Sequence, residues 1–171
     1  MVYTIGHSTR PVDLFVSLLT PYNIATLVDV RRFPGSRRHP QFGRDALAAS
    51  LRAAGVKYSH AVDLGGRRSP APDSINTGWR LDAFRGYADY METPQFHRAI
   101  VAALSLESPL VLMCAEALWW RCHRSLIADY LTAGGIDVMH LGGAPHLHTG
   151  TTPAVISPGS LSYAAPQADL F

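Results

Sequence analysis

Residues 109–125 read P-L-V-L-M-C-A-E-A-L-W-W-R-C-H-R-S, and this stretch decides the fold. Leu110-Val111-Leu112-Met113 is a short, uninterrupted apolar run, the pattern of a strand buried on both faces. It ends at Cys114, and Glu116 follows two residues later. After a turn, Arg121, Cys122, His123 and Arg124 open a segment in which Leu126, Ile127, Tyr130 and Leu131 recur at helical spacing, which predicts a helix over 121–133. A thiol and a carboxylate thus leave a strand where a second thiol, an imidazole and two guanidiniums enter a helix. Ligands of open α/β sheets bind past the carboxyl ends of strands. Helix N-termini attract anions through free N–H groups and the dipole.

Working outward, the same alternation repeats. Strands are expected at 2–5, 24–30, 56–60, 110–114 and 136–141, each bounded by glycine, proline or polar residues. Helices are expected after Pro11, with Leu14, Leu18 and Leu19 inward, and at 44–54, 82–91, 94–106 and 121–133. The pattern predicts one three-layer α/β domain over 1–145, with a mostly parallel five-stranded sheet covered by helices on both faces. From Gly142 onward apolar periodicity gives way to Gly, Pro, Ser and Thr, so 146–171 is expected as an irregular tail with His146 and His148 at the surface. A long polar loop is expected from the Gly65-Gly66-Arg67 turn to about Trp79. The strand ends collect His7, Ser8, Asp29, Arg31, Arg32, Arg67, Cys114, Glu116 and His140 on one rim.

With 171 residues, 47% of them hydrophobic, the chain can bury a proper core and is no disordered segment. No apolar run approaches the ~20 residues of a membrane span, and the first residues carry no signal-peptide pattern. A cytoplasmic protein with no membrane partner is the expectation, and there the two cysteines remain free thiols. The net charge of +2 says little about partners. Arg31, Arg32, Arg37, Arg38 and Arg44 form a cationic cluster with no acid among them, suited to phosphate or carboxylate.

Cys114 is a candidate nucleophile, activated by Arg121, Arg124 and the helix start, or alternatively a buried structural cysteine. Glu116 is a candidate general acid or base, or the partner of Arg31 or Arg124. His123, placed at a helix N-terminus, is expected to be neutral and able to accept a proton; His7 is the second base candidate. Ser8, Asp29, Arg31, Arg32, Arg67, Cys122 and Arg124 complete a substrate- or phosphate-binding rim. Trp79, Trp119 and Trp120 lie in nearby loops and are candidates for stacking on bases. Cys114, Cys122, His123 and His140 match no standard zinc spacing, so no metal is expected; the cofactor is left open.

The runs Tyr3-Thr4-Ile5-Gly6-His7-Ser8, Leu27-Val28-Asp29-Val30-Arg31, Phe33-Pro34, Pro40-Gln41-Phe42, Leu64-Gly65-Gly66-Arg67, Phe84-Arg85-Gly86-Tyr87-Ala88, Met113-Cys114-Ala115-Glu116 and Cys122-His123-Arg124, with His140, follow one another in the order of a bacterial and archaeal family. Over roughly 2–145 the chain resembles domain-of-unknown-function family 488. The resemblance implies a compact α/β fold with a site built from these motifs, and no particular activity. One departure is the link Ala117-Leu118-Trp119-Trp120, where the family has an acidic, proline-containing turn. A weaker similarity, to rhodaneses and cysteine phosphatases, fails on spacing. Cys114 and Arg121 lie one residue too far apart for the phosphatase loop, and Glu116 would repel a bound oxyanion.

The last residues, Gln167-Ala168-Asp169-Leu170-Phe171, resemble the motif by which bacterial polymerases and repair proteins bind the DNA sliding clamp. Gln167 would supply hydrogen bonds, and Leu170 and Phe171 would fill a pocket. The expectation is an enzyme of nucleic-acid metabolism, repair-related and recruited by the clamp. It would act on a phosphate-bearing DNA or nucleotide substrate with Cys114, Glu116 and His123 near the reacting centre. Two alternatives stand beside it. One is a thiol-dependent enzyme of sulfur or phosphoryl transfer on a small anion; the other is a non-catalytic nucleic-acid-binding module.

Overall fold

A computed structural model describes residues 1–35 and 37–164. The five expected strands are present: β1 Val2–Gly6, β2 Thr26–Asp29, β3 Lys57–His60, β4 Leu110–Cys114 and β5 Val138–His140. They pair in parallel in the order β3-β2-β4-β1-β5. A sixth strand, β6 (His146–Leu147), adds antiparallel to β5 at the edge.

Alternation along the strands sends side chains to two separate cores. Ile5, Leu27, Val111 and Met113 pack with Phe15 of α1 (Val12–Ser17) and with Leu47 and Leu51 of α2 (Arg44–Ala53). Val28, Leu110, Leu112 and Cys114 face α3 (Asp82–Met91), α4 (Pro94–Leu104) and α5 (Arg124–Ala133), where Tyr87, Phe96, Leu126 and Ile127 meet them. Helices therefore cover both faces, as a parallel sheet requires. Thr93 caps α4 by accepting from the Phe96 N–H, and Pro94 follows in the first turn.

Three local expectations are corrected. Leu14 points outward at 49% exposure, and Phe15, with Leu19, fills the core instead. The last helix starts at Arg124 rather than 121, because Trp119–Arg121 forms a separate 3-10 turn. The described residues after Gly142 hold regular structure: β7 (Val155–Ser157) and β8 (Ser160–Ser162) form a hairpin against α5.

The organiser of that segment is Asp129, buried on α5. Its carboxylate accepts from His148 Nε2 at 2.8 Å, Tyr163 Oη at 2.9 Å, and the Thr151 N–H and hydroxyl. His148 Nδ1 in turn accepts from His140 Nε2 at 2.9 Å, and His140 Nδ1 from the Thr4 hydroxyl at 2.6 Å. One direction of donation satisfies the whole chain with both rings neutral. Burial lowers the His140 pKa to about 3. His146 is exposed as expected, but His148 is buried, because a carboxylate enclosed in α5 must find donors.

The loop of residues 65–79 is tied down rather than free. Asp89 accepts from the Ala71 N–H, Ser74 Oγ and Asn76 Nδ2, and the Gly78 N–H donates to the Tyr163 carbonyl.

Candidate active site

β1 and β4 lie side by side at the centre of the sheet, with Gly6 opposite Cys114. The loops leaving them run together: the His7 N–H donates to the Cys114 carbonyl and the Ser8 N–H to the Ala115 carbonyl. Gly6 permits this approach, since a Cβ there would lie 1.7 Å from the Glu116 carbonyl oxygen. Past these strand ends opens a cleft. Its outer part, about 530 Å³, is lined by His7, Ser8, Arg31, Phe33, Arg67, Glu116, Leu118 and Arg121. Its inner part, about 240 Å³, reaches Arg32, Gly66, Cys114, Cys122 and His123. Two of the three non-glycine residues in the left-handed region among the described residues, Ser8 (φ 53°) and Arg67 (φ 63°), line it. Such backbone outliers collect where a structure holds functional groups in place.

On one side of the sheet edge Arg31 is locked. Its Nε and Nη2 bind both carboxylate oxygens of Asp29, at 2.8 and 2.6 Å, and Nη2 also reaches the Phe42 carbonyl. Arg31 Nη1 donates to His7 Nε2 at 3.2 Å. His7 Nδ1 donates to the Ser8 carbonyl, and the ring stacks on Phe42. Burial lowers the His7 pKa to about 4. Its acceptor nitrogen is already taken by Arg31, so His7 here orients the arginine.

The other side holds the thiols. Cys114 and Cys122 are free and buried, with Sγ atoms 2.7 Å apart. Cys122 Sγ lies 3.6 Å from His123 Nδ1, and His123 Nε2 donates to the Val30 carbonyl at 3.1 Å, leaving Nδ1 as the acceptor. The His123 pKa falls to about 4, chiefly through burial, and the residue caps the N-terminus of α5. Gly66 lets this ring sit close, since a Cβ there would approach Nδ1 to 2.9 Å. Behind the thiols lies Arg124, 1% exposed. Its Nη2 donates to the Glu116 and Ala117 carbonyls at 2.8 and 2.9 Å; Nε and Nη1 have no hydrogen-bond partner. Among the described residues no carboxylate pairs with it. Burial pushes the Cys114 thiol up, but the hydrogen bond from Cys122 and the Arg124 charge outweigh it, so its pKa is lowered. Burial and the neighbouring sulfur raise that of Cys122.

Arg31, Arg32, Arg67, Cys114, Cys122, Glu116, His7, His123 and Ser8 therefore share one cleft. Asp29 and Arg124 lie beneath it, on opposite faces of the sheet, and act through what they hold. Glu116 makes no ion pair with Arg31 or Arg124 among the described residues: its side chain is exposed in the cleft, and only its carbonyl meets Arg124. The tryptophans do not line the cleft. Trp79 stacks on Phe84 and Trp119 on the buried His140, while Trp120 is 52% exposed outside it. The cleft's aromatic residue is Phe33, 64% exposed, with the guanidinium carbons of Arg32 and Arg67 6.0 and 5.8 Å from its ring centre. Phe33 stood in a quoted motif, but an exposed Phe between arginines leaves no periodic signal. No group of three or more His, Cys, Asp or Glu among the described residues is arranged to hold a metal ion. Gln167, Leu170 and Phe171 lie outside the described residues.

A family model, Domain of unknown function DUF488, matches residues 11–131. The chain belongs to the DUF488 family. No curated protein and no solved structure matches it. The matched span of this DUF488 protein holds the Arg31–Arg32 segment, the Gly66–Arg67 turn and the two thiols, and leaves out the strand and loop that bring His7 and Ser8.

Proposed function

We propose that this DUF488 protein is a thiol-dependent enzyme of nucleic-acid metabolism, acting on a phosphate-bearing substrate held in the cleft. The observation that carries the reading is the pairing of a cationic mouth with an activated thiol. Arg32, Arg67 and Arg121 are exposed around the opening, and Cys114 lies on the floor against a buried guanidinium that has no carboxylate partner. A thiolate is the natural counter-charge for such a cation. Arginines at the mouth suit phosphate oxygens. Glu116, exposed beside them, is placed to move a proton at the bound substrate. Phe33 favours a nucleotide over a small inorganic anion, because an exposed ring flanked by guanidiniums is a platform for a base.

The repair-related part of the proposal rests on the terminal residues Gln167, Leu170 and Phe171 as a sliding-clamp motif. Location in the cytoplasm belongs to the same proposal and accords with free thiols. No helix among the described residues is long and apolar enough to cross a membrane.

Fluorescence titration of short single-stranded DNA at several salt concentrations tests the cleft. Binding should weaken as salt rises, and Arg67→Ala and Phe33→Ala should each weaken it by about tenfold. Absence of saturable binding, or wild-type affinity in both variants, removes nucleic acid as the substrate. Alanine at Gln167, Leu170 and Phe171 together should abolish binding to the bacterial sliding clamp and leave DNA binding by the cleft intact.

A further inference from the structure

The two sulfurs on the cleft floor have a relation that phosphate chemistry does not use. Cys114 and Cys122 lie 2.7 Å apart, one at the end of β4 and the other just before α5, and both are unbridged. A move of roughly 0.7 Å reaches the ~2.05 Å of a covalent S–S bond. Each thiol has its own setting. Cys114 lies in the inner cleft beside Arg124, whose Nε and Nη1 have no partner. Cys122 lies between Cys114 and the unprotonated Nδ1 of His123, 3.6 Å away. One sulfur is thus placed to be a thiolate facing the cleft. The other is placed to hand its proton to a neutral imidazole.

We infer that Cys114 and Cys122 form an attacking and resolving pair that reduces a disulfide-bearing anionic substrate. In the first step the Cys114 thiolate attacks one sulfur of the substrate R–S–S–R′. A Cys114–S–S–R bond forms, the substrate S–S bond breaks, and R′S⁻ leaves and takes up a proton. In the second step Cys122 gives its proton to His123 Nδ1, and its sulfur attacks Cys114 Sγ. The Cys114–Cys122 disulfide forms and RS⁻ leaves, taking the proton from His123. The substrate gains two electrons and becomes two thiols, and the protein dithiol is oxidised to a disulfide. Two equivalents of a low-molecular-weight thiol restore the dithiol by the reverse exchange. The cationic mouth of the cleft selects for negative charge on R. The inference rests on Cys114 being the cleft nucleophile, and stands independently of whether nucleic acid binds.

The test uses the reduced full-length chain and oxidised glutathione, an anionic disulfide, with acid quenching and mass analysis of the intact protein. The wild type should become lighter by two hydrogens, release reduced glutathione and retain no adduct. Peptide mapping should then find Cys114 joined to Cys122. Cys122→Ser should retain one glutathione on Cys114. Cys114→Ser should react at least ~100-fold more slowly, since a buried thiol of raised pKa is a poor nucleophile. A wild type that holds a glutathione adduct as stably as Cys122→Ser, or that keeps both thiols reduced, overturns the inference. The wild-type mass and peptide map decide this even if a variant fails to fold. Absence of saturable DNA binding by the wild type, with disulfide formation intact, would overturn the nucleic-acid proposal alone.

Discussion

Arg124 is the residue whose setting is hardest to account for by stability alone. It is enclosed, it holds two carbonyls of the loop after β4, and two of its nitrogens have no partner. If its charge sustains the Cys114 thiolate, Arg124→Met in a Cys122→Ser background should raise the apparent pKa of Cys114 alkylation and slow the reaction near neutral pH by about tenfold. The pH profile of iodoacetamide labelling measures this, and an unchanged profile would mean that the guanidinium only braces the loop. Histidines set a second residue-scale outcome. His7 and His123 have folded pKa values near 4, below the ordinary 6.5, so both are neutral in the native protein. The unfolded chain binds protons at these rings first as pH falls. Stability should therefore be intact above about pH 6.5 and decline progressively toward pH 4, by a few kcal/mol in all. Denaturant midpoints across that range check the sign: a midpoint that rises on acidification contradicts the neutral rings.

At the scale of elements, the site depends on β1 and β4 leaving the sheet in contact. Gly6→Ala would place a Cβ into the Glu116 carbonyl, which is backbone and cannot swing away. The expected cost is about 3 kcal/mol or a displaced Cys-Ala-Glu loop. A lowered melting temperature together with lost Cys114 labelling reports either outcome. Gly143→Ala, where an added Cβ meets nothing within 4 Å, should leave both unchanged. Asp129 ties Thr151 and Tyr163, which flank the β7–β8 hairpin, to α5, and Leu161 of β8 packs against the apolar core. His148→Ala leaves that buried carboxylate short of a donor, at a cost of about 3 kcal/mol; Tyr163→Phe should cost about 1 kcal/mol. Equal melting temperatures for wild type and His148→Ala would show that the network is not structural.

The whole molecule divides the site between two cores. The Asp29–Arg31–His7 set belongs to the side of α1 and α2, and the thiols, His123 and Arg124 to the side of α3, α4 and α5. The cleft exists because both sets reach the same sheet edge. Arginines from β2's exit and the turn near 66–67 then close its mouth. An anion bound there should stabilise the folded protein. Millimolar pyrophosphate should raise the melting temperature of the wild type and have a smaller effect on an Arg32→Ala, Arg67→Ala double variant. An equal rise in both would place the anion elsewhere.

The sequence by itself determined the alternation of strand and helix, the parallel sheet and the collection of reactive residues at strand ends. Each of these is local: uninterrupted apolar runs, helical spacing, and glycine or proline between them mark the elements without reference to partners. It could not determine which of those residues touch. The 2.7 Å approach of Cys114 to Cys122 depends on where a 3-10 turn ends and α5 begins. Asp29 lies outside the cleft because of the face of β2 it occupies, which a one-residue change of strand register would reverse, and Arg124 because it is drawn to the Glu116 and Ala117 carbonyls. His148 read as a surface residue because its segment lacks periodicity, yet Asp129 draws it inward. Phe33 stood only as half of the short Phe33-Pro34 motif, and only the approach of Arg32 and Arg67 makes it the cleft's aromatic wall. Contacts between residues far apart in the chain arise when strands adopt an order and a register, and neither is written in any single segment.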